Sequence, residues 1–184
     1  VFAMIAGFFM ARFKMHPFIS TMANMLIIFG LVTYATKGVS FGAIDPAIPN
    51  IFIPKAGRFP MIILWAIIAV VVVWFIWNKT TFGKNLYAVG GNPEASTVSG
   101  ISVFKVTMGA FIMAGILYGF GSWLECLRMV GSGSAAYGQG WDMDAIAACV
   151  VGGVSFTGGI GKISGVVTGV LIFTSLTYSL TILG

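Results

Sequence analysis

The chain alternates between long apolar runs and short polar breaks. Val1 to Ala11 is the first run, followed by the break Arg12, Lys14, His16 and Pro17. A second run extends from Phe18 to about Thr36, with Ser20, Thr21 and Asn24 on an otherwise apolar helix. Met61 to Trp77 carries no charge and holds the run Val70 to Val73. Its Trp74 and Trp77 lie near one end, where indole rings sit at a membrane–water boundary. Val106 to Leu127 and Ile163 to Leu183 are two further runs of spanning length. A spanning helix takes about 20 apolar residues, so the pattern predicts membrane helices along most of the chain. Val1 to Ala11 is roughly half that length and reads as the end of a helix whose beginning is missing. The chain stops at Gly184 at the end of another apolar run, so further helices are expected on both sides.

Two interruptions break the series differently from the short polar breaks. Lys37 to Pro60 holds Pro46, Pro49, Pro54 and Pro60, and the four prolines are expected to exclude a regular helix. Val130 to Lys162 begins with VGSGSAAYGQGWDMD, continues through the short apolar piece Ala145 to Val151, and ends in GGVSFTGGIGK. At 1.5 Å per residue that apolar piece is only about 10 Å of helix and cannot cross a bilayer. A broken or re-entrant helix is expected there, because irregular backbone at membrane depth survives only against protein or a water-filled cavity. Gly115 and Gly119, and again Gly165 and Gly169, are spaced to let two helices approach closely. The expected fold is all-α: a polytopic transmembrane helical bundle with a broken, re-entrant helix.

Composition agrees with this reading. Hydrophobic residues make up 58% of the 184 residues and charged residues 8%, against about 25% charged in a soluble domain. The first apolar run lacks the n-region and cleavage site of a signal peptide. The net charge of +5 comes from single Lys and Arg residues at the ends of apolar runs. That is the membrane-protein pattern and not a nucleic-acid footprint.

The same cations set an orientation. If the sides alternate and the broken segment completes one crossing, one side holds Arg12, Lys14, Lys79, Lys84, Lys105 and Lys162. The other holds Lys37, Lys55, Arg58 and Arg128, together with Asp45, Asp142 and Asp144. The side with six cations against four is expected to be cytoplasmic. This puts the polar stretch Asn78 to Lys105 inside and Val130 to Met143 outside.

Several chemistries are excluded. The one histidine, His16, stands beside Pro17 at a helix start, and no nucleophile–base or metal set accompanies it. Proton coupling usually needs ionisable groups within a span. Glu125 lies near a helix end, close to Arg128, and is expected to pair with it or with lipid headgroups. Cys126 and Cys149 read as small buried residues. GGVSFTGGIGK is not a phosphate loop: Phe156 stands where the first glycine is needed, and Ile163 follows Lys162. No cofactor is implied, and any use of ATP requires another subunit.

The stretch Asn78 to Lys105 carries the strongest local pattern. Asn92 can cap free N–H groups, Pro93 suits the first helical position, and Glu94 complements the positive end of the helix dipole. Gly100 can end the helix in a left-handed conformation. A short helix from Pro93 to Ser99, held by Gly-containing arms, is expected. A plain connector rarely needs such length with its own capped helix, which suggests docking to a partner.

At this point a family resemblance becomes specific. GKNLYAVGGNPEASTVSGI, Gly83 to Ile101, resembles the cytoplasmic loop of sugar permeases in bacterial ATP-binding-cassette importers of the ribose, xylose and galactose type. DAIAACVVGGVSFTGGIGK, Asp144 to Lys162, is similar to their second signature, and WNKTTFGKN and GVVTGVLIF fit as well. The whole chain, 1–184, then reads as a fragment of the later part of one permease domain. The resemblance implies a subunit of about ten spans that pairs with a second copy, two ATPase subunits inside, and a periplasmic sugar-binding protein outside, in the bacterial inner membrane. It implies a monosaccharide cargo, galactose or a methyl galactoside foremost. It also implies that Gly90, Gly91, Asn92, Pro93, Glu94, Ala95, Ser96 and Gly100 couple the permease to the ATPase. Ser96 replaces an alanine common in such permeases. TMANM, Thr21 to Met25, departs from Thr-Leu-Gly-Thr-Met in relatives, so Asn24 brings an amide in place of a hydroxyl. Asn24, Asp144, Ser155 and Thr157 are the candidates for the sugar path, Asp144 serving equally as a helix cap for Ala145 to Val151. Two rivals stay open: a permease for another solute, such as ribose, xylose or a branched-chain amino acid, and a channel or secondary carrier without an ATPase.

Overall fold

A computed structural model describes residues 1–13, 15–40, 42, 47–52, 55–56, 59–129 and 133–183. Lys14, Asp45, Pro46, Pro54, Arg58 and the start of the Val130 loop lie outside the described residues. The apolar runs are helices: α1 (Phe2–Phe13), α2 (Pro17–Thr36), α4 (Ile62–Lys79), α7 (Val103–Arg128) and α9 (Ile163–Leu183). Among them α2, α4, α7 and α9 are long and apolar enough to cross a membrane. Between them lie α3 (Ala47–Phe52), α5 (Thr81–Gly91), α6 (Pro93–Val98) and α8 (Trp141–Val151). The remaining elements are β1 (Lys55–Ala56) and β2 (Phe59–Pro60), an antiparallel pair of two residues each. The fold is all-α in character, as the periodicity requires. Large side chains such as Leu26, Ile67, Phe75 and Leu171 are exposed, the inverse of a water-soluble core and the surface expected in lipid.

The chain divides into two compact units. The first comprises Val1–Val71 and Thr107–Tyr137. Here α1 meets α7 through small residues. A β-carbon on Gly7 would lie 2.7 Å from Phe111 Cβ, and one on Gly115 would lie 2.9 Å from Ala3 Cβ. Steps of four along each helix, in opposite senses, mark antiparallel packing. Gly119, by contrast, has open space where its β-carbon would be, so among the described residues Gly115 is the member of that glycine pair that makes a close approach. The Ser20 hydroxyl is buried and donates to the Ala6 carbonyl at 3.5 Å.

The proline-rich stretch departs from expectation, since α3 is a regular helical turn that contains Pro49. Pro49 is its third residue, within the first turn, where backbone N–H groups have no intrahelical acceptor to lose. An aromatic cluster fastens α3: the Trp65 indole N–H donates to the Phe52 carbonyl at 3.1 Å, and the Phe52 ring stands edge-on to Trp123 at 4.9 Å. At the end of α7, Arg128 Nε donates to both Glu125 carboxylate oxygens at 3.0 Å, and the Tyr137 hydroxyl donates to Glu125 at 2.7 Å. The expected ion pair is present. Cys126, expected to be buried, is exposed beside it, because it falls on the face of α7 opposite the buried Leu124 and Leu127.

The second unit comprises Val72–Val106 and Gly138–Gly184. Its centre is the α8–α9 hairpin. A β-carbon on Gly165 would overlap the Gly152 carbonyl, and one on Gly169 would overlap the Ala148 carbonyl. The Gly165 and Gly169 pair therefore works as the spacing predicts: without side chains, α9 lies directly on the backbone of α8. The α8 helix has 11 residues, about 16 Å of rise, and is a partial crossing against the roughly 30 Å of hydrocarbon. The hydroxyls of Thr168, Ser175, Thr177, Ser179 and Thr181 each donate to the carbonyl four residues earlier, so α9 carries polar groups already satisfied within the helix.

Candidate functional site

The stretch Asn78 to Lys105 is not a loop around one short helix. It is the end of α4, two further helices and the start of α7. The N-terminal Gly-containing arm is itself a helix, the 11-residue α5. Thr80 begins it: its side chain accepts the Gly83 N–H at 3.3 Å and donates to the Ile76 carbonyl at 2.6 Å. Gly83 sits so close to the Trp77 carbonyl that any β-carbon would overlap it, which permits the sharp bend from α4 into α5. The missed signal was Phe82, Leu86 and Val89, apolar at helical spacing behind a threonine cap.

Asn92 joins α5 to α6. Its own N–H bonds the Ala88 carbonyl at 3.0 Å and ends α5, while its side-chain oxygen accepts the Ala95 N–H at 3.0 Å and starts α6. Pro93 occupies the first turn and Glu94 is the acidic residue there. At the far end Gly100 has φ +80, its N–H bonds the Thr97 carbonyl at 3.0 Å, and the Ile101 N–H bonds the Ser96 carbonyl at 2.9 Å. These local bonds make α5 and α6 one rigid elbow. Pro93, Glu94, Ala95, Thr97 and Val98 are exposed, and Val98 is 90% exposed. Ser96 points the other way: it is buried, and its hydroxyl donates to the Asn92 carbonyl at 2.8 Å.

The elbow rests on the Gly-rich turn between α8 and α9. A β-carbon on Gly90 would lie 2.5 Å from the Gly159 nitrogen, and one on Gly159 would lie 2.6 Å from Gly91 Cα. Backbone meets backbone, and no side chain fits between. The Tyr87 hydroxyl donates to the Gly161 carbonyl at 2.7 Å. The two distant sequence motifs are therefore in direct contact. A cleft of about 560 Å³ opens beside the contact, its lining including Asn78, Tyr87, Gly153, Ile160, Lys162 and Ser164. Among the described residues that line it, Lys162 is the charged one.

The four candidate path residues are distributed unequally. Ser155 and Thr157 are together in the turn, hydroxyl to hydroxyl at 2.7 Å, with the Thr157 N–H bonding the Ser155 oxygen at 3.2 Å. Asp144 is not the cap of α8. The helix begins at Trp141 behind Gly140, and the Asp144 N–H already bonds the Gly140 carbonyl at 3.2 Å. Gly140, at φ +89, starts the helix without a side-chain cap. Asp144 is exposed. The register that sets Gly152 on Gly165 and Ala148 on Gly169 brings Asp144 level with Phe173, the middle of α9. Asn24 belongs to the other unit, half-buried on α2.

These features, four helices long and apolar enough to span, a short helix between them and an exposed capped elbow, define a multi-pass membrane protein. Residues 1–184 match the family described as branched-chain amino acid transport system / permease component, and the chain belongs to that family. Among curated proteins it is 55% identical over 195 residues to the galactose/methyl galactoside import permease protein of Treponema pallidum, covering 100% of this chain and 36% of the relative. It is 43% identical to the protein of the same description from Escherichia coli, covering 100% of this chain and 56% of that relative. It is 35% identical to the ribose import permease protein of Bacillus subtilis, covering 97% of this chain and 56% of the relative. The chain thus spans about half the length, or less, of these relatives. No solved structure matches it.

Proposed function

We propose that this chain is part of the membrane-spanning permease subunit of an ATP-binding-cassette importer for a monosaccharide, galactose or methyl galactoside. The subunit works in the bacterial inner membrane, paired with a second copy. ATPase subunits dock on its cytoplasmic face, and a periplasmic sugar-binding protein delivers the cargo. The observation that carries the reading is α6: a rigid helix, capped at both ends, whose Glu94 and Val98 are exposed. A helix ordered this fully with an apolar side chain left bare is suited to a groove in a partner. The exposed residues, Pro93, Glu94, Ala95 and Val98, form the docking face. Gly90, Gly91, Ser96 and Gly100 set the shape and seating of the elbow. The cargo rests on the relatives, whose names specify galactose and methyl galactoside at the higher identity.

Closure of the ATPase subunits moves the elbow and switches access from outside to inside. Asp144 and Asn24 offer hydrogen bonds to sugar hydroxyls along the path, since an intramembrane polar group is a candidate for substrate contact. Ser155 and Thr157 stand by the elbow, at the exit.

Two measurements test this. Uptake of radiolabelled galactose by the complete importer, with ribose and xylose as competitors, is expected to be blocked by unlabelled galactose and little affected by the others. Strong competition by ribose would move the cargo assignment. A Glu94→Lys change is expected to abolish uptake and ATPase association while the permease still inserts; normal uptake would overturn the coupling role.

A further inference from the structure

We infer that Tyr87 and the Gly90–Gly91 corner form a latch that passes movement of the docking elbow to the α8–α9 hairpin. The long spans α4 and α7 continue directly in the chain from the two ends of the elbow. The latch would make α8, the short helix that bears Asp144, a second output. The inference rests on the proposed coupling role of α6 and extends it to a named contact.

Both sides of the contact are stiff. On one side Asn92 closes α5 and opens α6 at once, so no loose residue separates the docking helix from Gly90. On the other side the turn is tied internally. The Ser155 N–H bonds the Ile160 carbonyl at 3.0 Å and the Gly158 N–H bonds the Ser155 carbonyl at 3.2 Å. Gly158 and Gly159 have φ +90 and +71, a shape that costs glycine nothing and side-chain-bearing residues a good deal. The turn runs into α8 without slack, because the Val154 N–H bonds the Cys149 carbonyl at 3.0 Å. Tyr87 and Gly90 are three apart on α5 and share a face. One bonds the Gly161 carbonyl and the other lies against Gly159. Bare backbone in contact over two residues, pinned by one hydroxyl, transmits a push with little compliance. A contact cushioned by flexible side chains would absorb it.

The test uses the complete permease, reconstituted in liposomes with its ATPase subunits and binding protein. Sugar uptake and ATP hydrolysis are measured on the same vesicles. Tyr87→Phe removes the pin and adds no volume; Gly90→Ala wedges the corner apart. Tyr87→Phe is expected to keep ATPase association and ATP hydrolysis while the sugar moved per ATP falls severalfold; Gly90→Ala, inside the docking elbow, is expected to lower the sugar moved per ATP further, on the order of tenfold. If Gly90→Ala does not insert, Tyr87→Phe decides alone. A wild-type sugar-to-ATP ratio in Tyr87→Phe, or loss of ATPase association in it, overturns the latch while leaving the coupling role of α6 standing. A wild-type permease that binds no ATPase subunit overturns both.

Discussion

Gly169 lies directly beneath the Ala148 carbonyl, so close that a β-carbon on Gly169 would overlap its oxygen and stand 2.6 Å from the Gly152 nitrogen. One absent methyl group therefore sets how closely α8 and α9 pack. Gly169→Ala is expected to destabilise the complete permease by ~1–3 kcal/mol, the usual cost of overfilling a packed contact. Gly119→Ala, into open space, is expected to change stability by less than about 0.5 kcal/mol. Unfolding of the two variants in mixed micelles compares them; equal losses would contradict the α8–α9 geometry.

Asn92 serves two helices with one residue. Asn92→Ala is expected to cost about 1 kcal/mol of α6 stability through loss of the side-chain bond to the Ala95 N–H. Amide exchange should quicken at Ala95 and Ser96 before it does in α5, whose end is closed by the Asn92 backbone. Asn92→Asp should restore protection. Unchanged exchange in the alanine variant would remove the cap from the account.

Asp144 stands level with the middle of α9 and does not cap its own helix. Asp144→Asn keeps the shape and the hydrogen-bonding reach but loses the charge; Asp144→Leu loses both. Uptake is expected to fall about tenfold in the leucine variant, equivalent to ~1.4 kcal/mol, with ATPase association intact. Full uptake in Asp144→Leu would take Asp144 out of the sugar path.

Tyr137 reports on the ion pair at the end of α7. The Glu125 carboxylate accepts its hydroxyl and pushes the phenol up from its ordinary value of 10.0. Protonated Tyr137 is the form that donates. Its contribution is therefore full below the ordinary phenol value and is lost as pH rises through the raised one. Ultraviolet difference titration of wild type against Tyr137→Phe should reveal a late-ionising phenol. In Glu125→Gln that phenol should ionise earlier; no movement would show that another group holds it.

The spans and the α6 caps were legible because their causes are local. An apolar run needs only its own length to predict a membrane helix, and Asn92, Pro93 and Gly100 act within a few residues of themselves. The α3 turn was misjudged by treating every proline alike, when Pro49 falls in a first turn that tolerates it. The α5 helix was missed because Gly83, Gly90 and Gly91 suggest loop, and their purpose is contact. Gly83 faces the Trp77 carbonyl and Gly90 faces Gly159. Tyr87 gave no sign of function, since its acceptor lies 74 positions away in the sequence.

By itself the sequence determined an all-α membrane protein, the positions of its spans, a broken segment before Lys162, and a capped helix set among cations. Hydrophobic length and capping chemistry act along a short stretch of chain, so these follow from it alone. Only the tertiary structure decided which glycines are contacts. It seats Gly165 and Gly169 on α8, leaves Gly119 bare, and brings Gly90 and Tyr87 against the turn that closes the hairpin. A glycine has no side chain to advertise its partner. What it permits, two backbones in direct contact, depends on where the rest of the chain comes to lie.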